Sequence, residues 1–419
     1  MSSSEPKPIT EGPPTPAFVI DEEALEILVT RFQKALDRNW PNSVMSYSVK
    51  TNSLPWLLSY MKQRGIWAEV VSDSEYGLAR VLGFPPERIV YNGPVKSRAL
   101  LRSALREGSL TNLDSSREVR WAAELARERP DLNVRVGLRV NWDLEGLCPG
   151  ESTVGDAASR FGFDFDNGDL SANIAQLTGA GAKVVGLHMH RNSRTSSPQV
   201  FQASAGVASE IISTLGLELD WLDIGGGFFG SLKDTELFDQ YFSGIRSTLS
   251  DVVDPRRTRL VIEPGGSVIA APVELHAQVL DVKDIGRQRF VITDTSRVDL
   301  DPLFRKTTPF DISAESADQT HPEQVLAGFT CMEDDRLMVL TDYPTLSEGD
   351  RIVFRKVGAY TMSYGSAFIE YPPAVYLRHE DGLLTLIRRR CDVEDYLQCN
   401  GWSHGPSTLS AGSATTAAS

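Results

Sequence analysis

Residues 110–140 read LTNLDSSREVRWAAELARERPDLNVRVGLRV, and the fold can be read outward from them. LTNL at 110–113 is a short β-type run that stops at Asp114. Ser115-Ser116-Arg117-Glu118 is a capping-type helix start, and the residues on to Arg129 carry Ala, Leu, Glu and Arg in helical proportion. VRVGLRV at 134–140 is a second β-rich run. Strand, loop, helix and strand in that order make one unit of parallel β/α architecture.

The same unit recurs on both sides. SVMSYSV at 43–49, WAEVV at 67–71, RIVY at 88–91, VVGLHM at 184–189, WLDI at 221–224 and RLVI at 259–262 are β-rich and close on polar or glycine clusters. Residues 74–82 are again helical in composition. The first five runs begin about 21–24 residues apart, the length of a β/α unit with tight loops. Eight such runs predict a (β/α)8 TIM barrel, an α/β fold. Beyond about Ala270 the texture changes to short β-type runs at 273–282, 290–294, 337–340, 351–356 and 383–388, separated by Gly, Pro and Asp turns. These predict a mainly antiparallel C-terminal β domain over 271–402, joined by the strand-like 17–20 near the N-terminus. The barrel is assigned 17–270, with 17–25 contributing to the β domain. Residues 1–16 and 403–419, rich in Ser, Thr, Pro, Ala and Gly, are expected to be disordered.

Composition narrows the function. The chain has 419 residues, 42 basic and 56 acidic, for a net charge of −14. An acidic protein of this kind repels phosphate backbones and anionic lipids, so neither nucleic acid nor membrane is an expected partner. No apolar run approaches the roughly 20 residues of a spanning helix, and the first fifteen residues lack the apolar run of a signal peptide. The four cysteines, Cys148, Cys331, Cys391 and Cys399, form no CxxC pair, which points to a reducing cytoplasm and away from a disulfide scaffold or structural zinc.

In a barrel of this type the residues just after each strand build the mouth. Here they include Lys50, Ser72-Asp73, Asn92-Gly93, Asp114, Arg139 and Asn141, His190, Gly225-Gly226-Gly227 and Glu263-Pro264-Gly265. Lys50 is a candidate Schiff-base former, expected to have its pKa lowered by desolvation; a lone rim lysine more often snorkels. Gly225, Gly226 and Gly227 suit a phosphate cradle, although a bare triple glycine is as often a tight turn, and the spacing is that of neither a dinucleotide site nor a P-loop. Glu263 is a candidate partner for a pyridinium nitrogen, or else a rim salt bridge. His188 and His190 share a strand face at different depths, with no third His or Cys nearby. His190 is therefore expected at the mouth, His188 in the packed interior, and no metal is expected.

Together these segments resemble the fold-type III pyridoxal-phosphate enzymes, of alanine-racemase-like architecture, and in particular the ornithine/diaminopimelate/arginine decarboxylase group. The motifs SVKTN, AEVVSDSEYGLA, NGPVKS, LRVNW, SRFGF, GLHMHRNS, LDIGGGF, IEPGG, GFTCMEDD and GAYTMSYGSAF occur in family order from about Ala17 to Leu397. The resemblance implies pyridoxal 5′-phosphate as cofactor, with Lys50 its covalent anchor and His190 stacked on its ring. It implies Ser193, Gly225 to Gly227, Gly265 and Tyr360 around the phosphate, and Glu263 at the ring nitrogen. Glu75 and Arg139 fall at family positions near the cofactor and its lysine. Cys331 matches a cysteine that a partner subunit inserts, which implies a homodimer with its active sites at the interface, an amino-acid substrate, and decarboxylation with Cys331 as a proton donor.

Three departures shape the expected substrate. EPGR is here EPGG, with Gly266 in place of an arginine, and HxGS is His190-Arg191-Asn192-Ser193, so Arg191 or Arg194 is expected to supply the missing cation. Met332 stands where the family has an acid for a distal amine, so simple ornithine and lysine are expected to be poor substrates. Phe368-Ile369 replaces Phe-Asn, which together with Met332 suggests a less polar pocket in which Arg297 or Arg305 greets an acidic or conjugated side chain. The alternatives are a racemase or epimerase on the same scaffold, or a non-catalytic regulator that has lost the chemistry.

Overall fold

The computed structural model describes residues 12–192, 195–314 and 319–402. The predicted tails at 1–16 and 403–419 lie outside the described residues except for 12–16. Eight parallel strands close on themselves in the order β2 (Ser43–Ser48), β3 (Trp67–Val70), β4 (Ile89–Tyr91), β5 (Leu110–Leu113), β6 (Arg135–Asn141), β8 (Lys183–His188), β9 (Trp221–Gly225) and β10 (Arg259–Ile262), which pairs back to β2. A two-residue strand, β7 (Phe163–Asp164), lies on the edge of β6. All eight barrel strands expected from the sequence are present.

Local chemistry explains the helices between them. Ser115 caps the helix Ser116–Glu128 by accepting from the Glu118 amide at 3.4 Å, and Ser72 caps Asp73–Val81 through the Glu75 amide at 3.2 Å. Each such cap is worth ~1 kcal/mol. The helices Glu22–Asn39, Pro198–Leu215 and Leu237–Leu249 pack against one another and the barrel wall through Phe32, Phe201, Phe228, Phe238, Tyr241 and Phe242. Phe32 meets the rings of Phe238 and Phe242 edge-on at 4.9 and 5.2 Å, contacts worth about 0.5–1.5 kcal/mol each beyond the area they bury.

Among the described residues the second sheet has nine strands: β1 (Ala17–Asp21), β11 (Val273–Ile285), β12 (Gln288–Thr293), β13 (Asp311–Ala314), β14 (Thr320–Ala327), β15 (Arg336–Pro344), β16 (Arg351–Arg355), β17 (Ala374–Arg378) and β18 (Leu384–Arg388). Strand β1 lies between β11 and β17, so the N-terminal segment does complete the C-terminal sheet. Pairing is antiparallel except for β1–β17 and β12–β14. The chain passes from barrel to sheet through the short helix Gly266–Ile269. Besides β7, three strands of this sheet were not expected: β13, β14 and β17. DISA at 311–314 is too short to show a pattern, THPEQVLA at 320–327 carries Pro322 and is polar in its first half, and β17 follows Pro372-Pro373 directly. Among the described residues, no helix is long and apolar enough to cross a membrane.

Candidate active site

The mouth of the barrel opens on a cavity of about 750 Å³. Lys50, His190, Gly226, Gly227, Glu263, Gly265, Tyr360 and Arg305, eight of the residues singled out in the sequence, line it together.

Lys50 sits in the 3₁₀ turn Val49–Thr51 that ends β2. Its Nζ donates to Ser48 Oγ at 2.6 Å and to Glu69 Oε2 at 2.8 Å, and 35% of the side chain remains exposed to the cavity. The expectation of a lowered lysine pKa is corrected here. Burial does pull the ammonium down, but the carboxylates of Glu69 and Glu263 outweigh it and the net shift is upward. Lys50 therefore waits as an ammonium, and Glu69, buried and itself hydrogen-bonded by Ser48 at 2.6 Å, is its counter-charge.

His190 follows β8. Its Nδ1 accepts from the Gly226 amide at 3.1 Å, so the ring proton belongs on Nε2. Burial, with Arg139 and Lys50 nearby, drives its pKa well down and keeps the ring neutral. His188 lies deeper, its ring parallel to that of His190 at 6.2 Å, as the spacing suggested.

The glycine loop follows β9, whose register with β10 shifts so that Val261 faces Asp223 and Ile262 faces Gly225. This bulge turns the chain over the mouth. Gly225 and Gly227 have φ of +81° and +90°, and a Cβ on Gly226 would stand 2.4 Å from the Glu263 carbonyl. Only glycine fits, and the result is a backbone cradle open to the cavity. From the second sheet the loop at 358–363 closes over the Lys50 turn: the Tyr360 amide donates to the Thr51 carbonyl at 2.9 Å and Asn52 Nδ2 to the Gly358 carbonyl at 3.0 Å. Tyr360 itself holds a left-handed φ of +58°.

Glu263 is buried, accepts from Asn92 Nδ2, and has its pKa pushed well up by burial and then by the carboxylates of Asp223 and Glu69. His188, Asp223 and Glu263 bring potential ligand atoms within 4.8 Å of one another. Both Asp223 oxygens already accept N–H groups, from Gly225 at 2.9 Å and Asn112 at 3.0 Å, so the trio is built as a hydrogen-bonded layer.

Other candidates stand elsewhere. Arg139 is held by Asp114 at 2.9 Å and by the His190 carbonyl at 3.1 Å, behind the histidine and away from the cavity lining. Arg191 donates to the Trp142 carbonyl at 2.7 Å and does not line the cavity; Ser193 and Arg194 lie outside the described residues. The Arg297 guanidinium is occupied by Asp301. Cys331 is exposed, and neither it nor Met332 lines the cavity within one chain. Glu75 accepts from the Val71 amide at 2.8 Å and lines a smaller recess on the other side of Lys50. Sequence reading placed Asn92 at the mouth without a role, and missed Ser48, Glu69, Asn112 and Asp223 as site residues and the basic wall of Lys306, Arg355 and Lys356 beside Arg305. A charged residue inside an apolar strand, as Glu69 in WAEVV and Asp223 in WLDI, was the available signal.

The fit to pyridoxal phosphate rests on this geometry: an amine, a glycine cradle, a neutral imidazole and a buried acid around one cavity. Comparison with known proteins agrees. The family model for the pyridoxal-binding domain of pyridoxal-dependent decarboxylases matches residues 25–270. The chain is 28% identical over 389 residues to the diaminopimelate decarboxylase of Zymomonas mobilis, covering 92% of each. Its fold matches the diaminopimelate decarboxylase of Helicobacter pylori, solved with L-lysine, at a TM-score of 0.80 and 24% identity over 93% of this chain and 98% of that one. It also matches the arginine decarboxylase of Paramecium bursaria Chlorella virus, at 0.74 and 21% over 86% and 95%. None of these is named as a racemase or a regulator. Since the family model covers more than half of the residues, the chain belongs to the pyridoxal-dependent decarboxylases, carboxy-lyases that use pyridoxal 5′-phosphate to decarboxylate amino acids.

Proposed function

We propose that the chain decarboxylates an amino acid whose distal end is anionic, with simple ornithine and lysine as poor substrates. The observation that carries this reading is the cavity wall opposite the barrel, where Arg305, Lys306, Arg355 and Lys356 all face the lumen. Asp311 pairs with Lys356 at 2.8 Å and Glu274 stands 3.6 Å from Arg355, and four cationic side chains against the one carboxylate on this wall, Asp311, leave it net basic. A distal ammonium brought to such a wall meets like charge; a carboxylate finds partners. Met332 in place of an acid points the same way.

The cofactor, when bound, supplies an electron sink for the bond to the leaving carboxylate. The chain's own residues do the rest. Lys50 would hold the cofactor's aldehyde carbon, its ammonium first losing a proton and with it the ion pair to Glu69. His190 presents a flat, uncharged face, and its Nδ1 fixes the Gly226 amide in the phosphate cradle. Glu263 holds a proton at the ring nitrogen. Cys331 belongs to a two-fold dimer in which the partner subunit's Cys331 returns a proton to Cα. Mixing Lys50→Ala with Cys331→Ala, each inactive alone, then restores part of the activity by forming mixed dimers; a mixture that stays inactive argues against the shared site.

The names of the relatives favour a second reading, diaminopimelate, which carries a distal carboxylate beside its distal ammonium. A CO₂-release panel of meso-diaminopimelate, L-glutamate, longer dicarboxylic amino acids, L-lysine and L-ornithine separates the two. The proposal expects the carboxylate-bearing compounds to lead, and L-lysine or L-ornithine in first place would overturn it.

A further inference from the structure

We propose that Asp223 is a positioning residue for Glu263: the two carboxyl groups share one proton, which rests on Asp223 while Glu263 faces the ring nitrogen as the carboxylate. This rests on Glu263 being the acid at that nitrogen, as argued above.

The donors around the pair are few and each is accounted for. The Trp221 indole N–H can only donate, and it donates to Asn112 Oδ1 at 3.1 Å. That fixes the Asn112 amide, whose Nδ2 then donates both to Asn92 Oδ1 at 2.9 Å and to Asp223 Oδ2 at 3.0 Å. With its oxygen used as acceptor, Asn92 turns its Nδ2 to Glu263. Both amides of this relay are thereby committed, Asn92 Nδ2 also reaching Glu69 Oε1 at 3.3 Å, and among the described residues the hydrogen-bonded contact between Asp223 and Glu263 has no donor left except a proton of their own. The surroundings supply no substitute. His188 Nε2 stands 3.7 Å from Glu263, beyond hydrogen-bond reach, and is unpartnered. Lys50 is committed to Glu69, which adds a further negative charge to the layer. Arg139 is committed to Asp114 and the His190 carbonyl. Two ionised carboxylates at this depth, with no exposure to water, repel one another strongly, and one shared proton removes the repulsion. In the empty site the hydrogen bond between the two favours the proton on Glu263; with a ring N–H at Glu263 the proton would rest on Asp223, whose acid form would then donate to Glu263.

The test reconstitutes the enzyme with ¹⁵N-pyridoxal phosphate and reads the ring nitrogen's protonation from its ¹⁵N shift, together with the rate of cofactor release. Wild type, Asp223→Asn, Asp223→Ala and Glu263→Gln are compared, with near-ultraviolet circular dichroism confirming the fold and Asp223→Ser replacing Asp223→Ala should that variant not fold. Asparagine can present its Nδ2 to Glu263 but gives up one of the two oxygens that accept from the Gly225 amide and Asn112, so Asp223→Asn is expected to keep the ring nitrogen protonated while releasing cofactor faster than wild type and more slowly than Asp223→Ala. Asp223→Ala is expected to lose ring protonation at neutral pH and to release cofactor roughly tenfold faster, the loss of one charged hydrogen bond. An alanine variant indistinguishable from wild type, or an asparagine variant that behaves like alanine, overturns the proposal. Retained protonation in Glu263→Gln overturns instead the assignment of Glu263, on which the proposal stands.

Discussion

The barrel interior has two layers that differ in a single respect, and the difference separates stability from chemistry. The lower layer is an apolar plug of Val90, Leu110, Val185, Trp221 and Val261, with Trp67 packed against it. Two residues further along five of the same strands, on the same face, stand Glu69, Asn92, Asn112, Asp223 and Glu263, joined by His188 from a sixth; none is more than 3% exposed. A barrel of this class ordinarily fills its interior with branched apolar side chains. Here the fill stops one layer short, and the top layer is a closed polar network beneath the cavity. Burial is the same in both, so burial alone says nothing about role; what differs is whether each side chain must find a polar partner. The plug gains stability from area, and the upper layer spends some of it on holding charge in place.

Changes in the two layers should therefore move different observables. The largest expected effect is at the rim: Lys50→Ala abolishes turnover and the covalent link to the cofactor while leaving the melting transition in place, measured by CO₂ release and absorbance. Trp221→Ala, in the plug, costs about 3–5 kcal/mol in denaturant unfolding. The residue fills space against Gly137 and Gly186, where a Cβ would come within 3.0 and 2.1 Å of its ring, and it also orients Asn112. A loss of cofactor binding without loss of stability in that variant would break the comparison. On the β-domain wall, Arg305→Ala is expected to lower kcat/KM about tenfold (~1.4 kcal/mol) for a carboxylate-bearing substrate and to leave L-lysine unaffected.

The smallest effect is a pH dependence. The folded pKa values of Asp223 and Glu263 are raised by burial and mutual repulsion, so above the unfolded carboxylate range, about 4, the native state binds more protons than the unfolded chain. Their contribution is present at low pH and is lost as pH rises through the folded values. His188 and His190, depressed by burial, act in the opposite sense below their unfolded value of about 6.5. Subtracting the melting curve of Asp223→Asn cancels the histidines, and the cofactor-free wild type should lose stability relative to that variant as pH rises from about 5 to about 8. A pH-independent difference would mean that the two carboxyls do not share a proton.

Much of this was legible in the chain. Short β-rich runs closing on polar or glycine clusters, with helical stretches between, marked all eight barrel strands, because a strand buried on both faces reads as a compact apolar run. The rim residues Lys50, His190 and Glu263 were legible because they follow strands directly. Pairings across the barrel were not: Glu69 meets Lys50 across two strands, and nothing local in WAEVV says which way its carboxylate points. The same limit explains the lysine pKa, which was read from burial alone when a carboxylate 2.8 Å away decides its sign. The basic wall was missed because Arg305, Lys306, Arg355 and Lys356 belong to separate segments of the second sheet and its loops, brought to one surface only by the strand order.

The central claim, that Lys50 carries the cofactor, is tested most directly by borohydride reduction of the holoenzyme followed by peptide mass mapping. The account predicts one modified peptide, bearing reduced pyridoxal phosphate at Lys50. A label on any other lysine, or none on a holoenzyme that still releases CO₂, would contradict it.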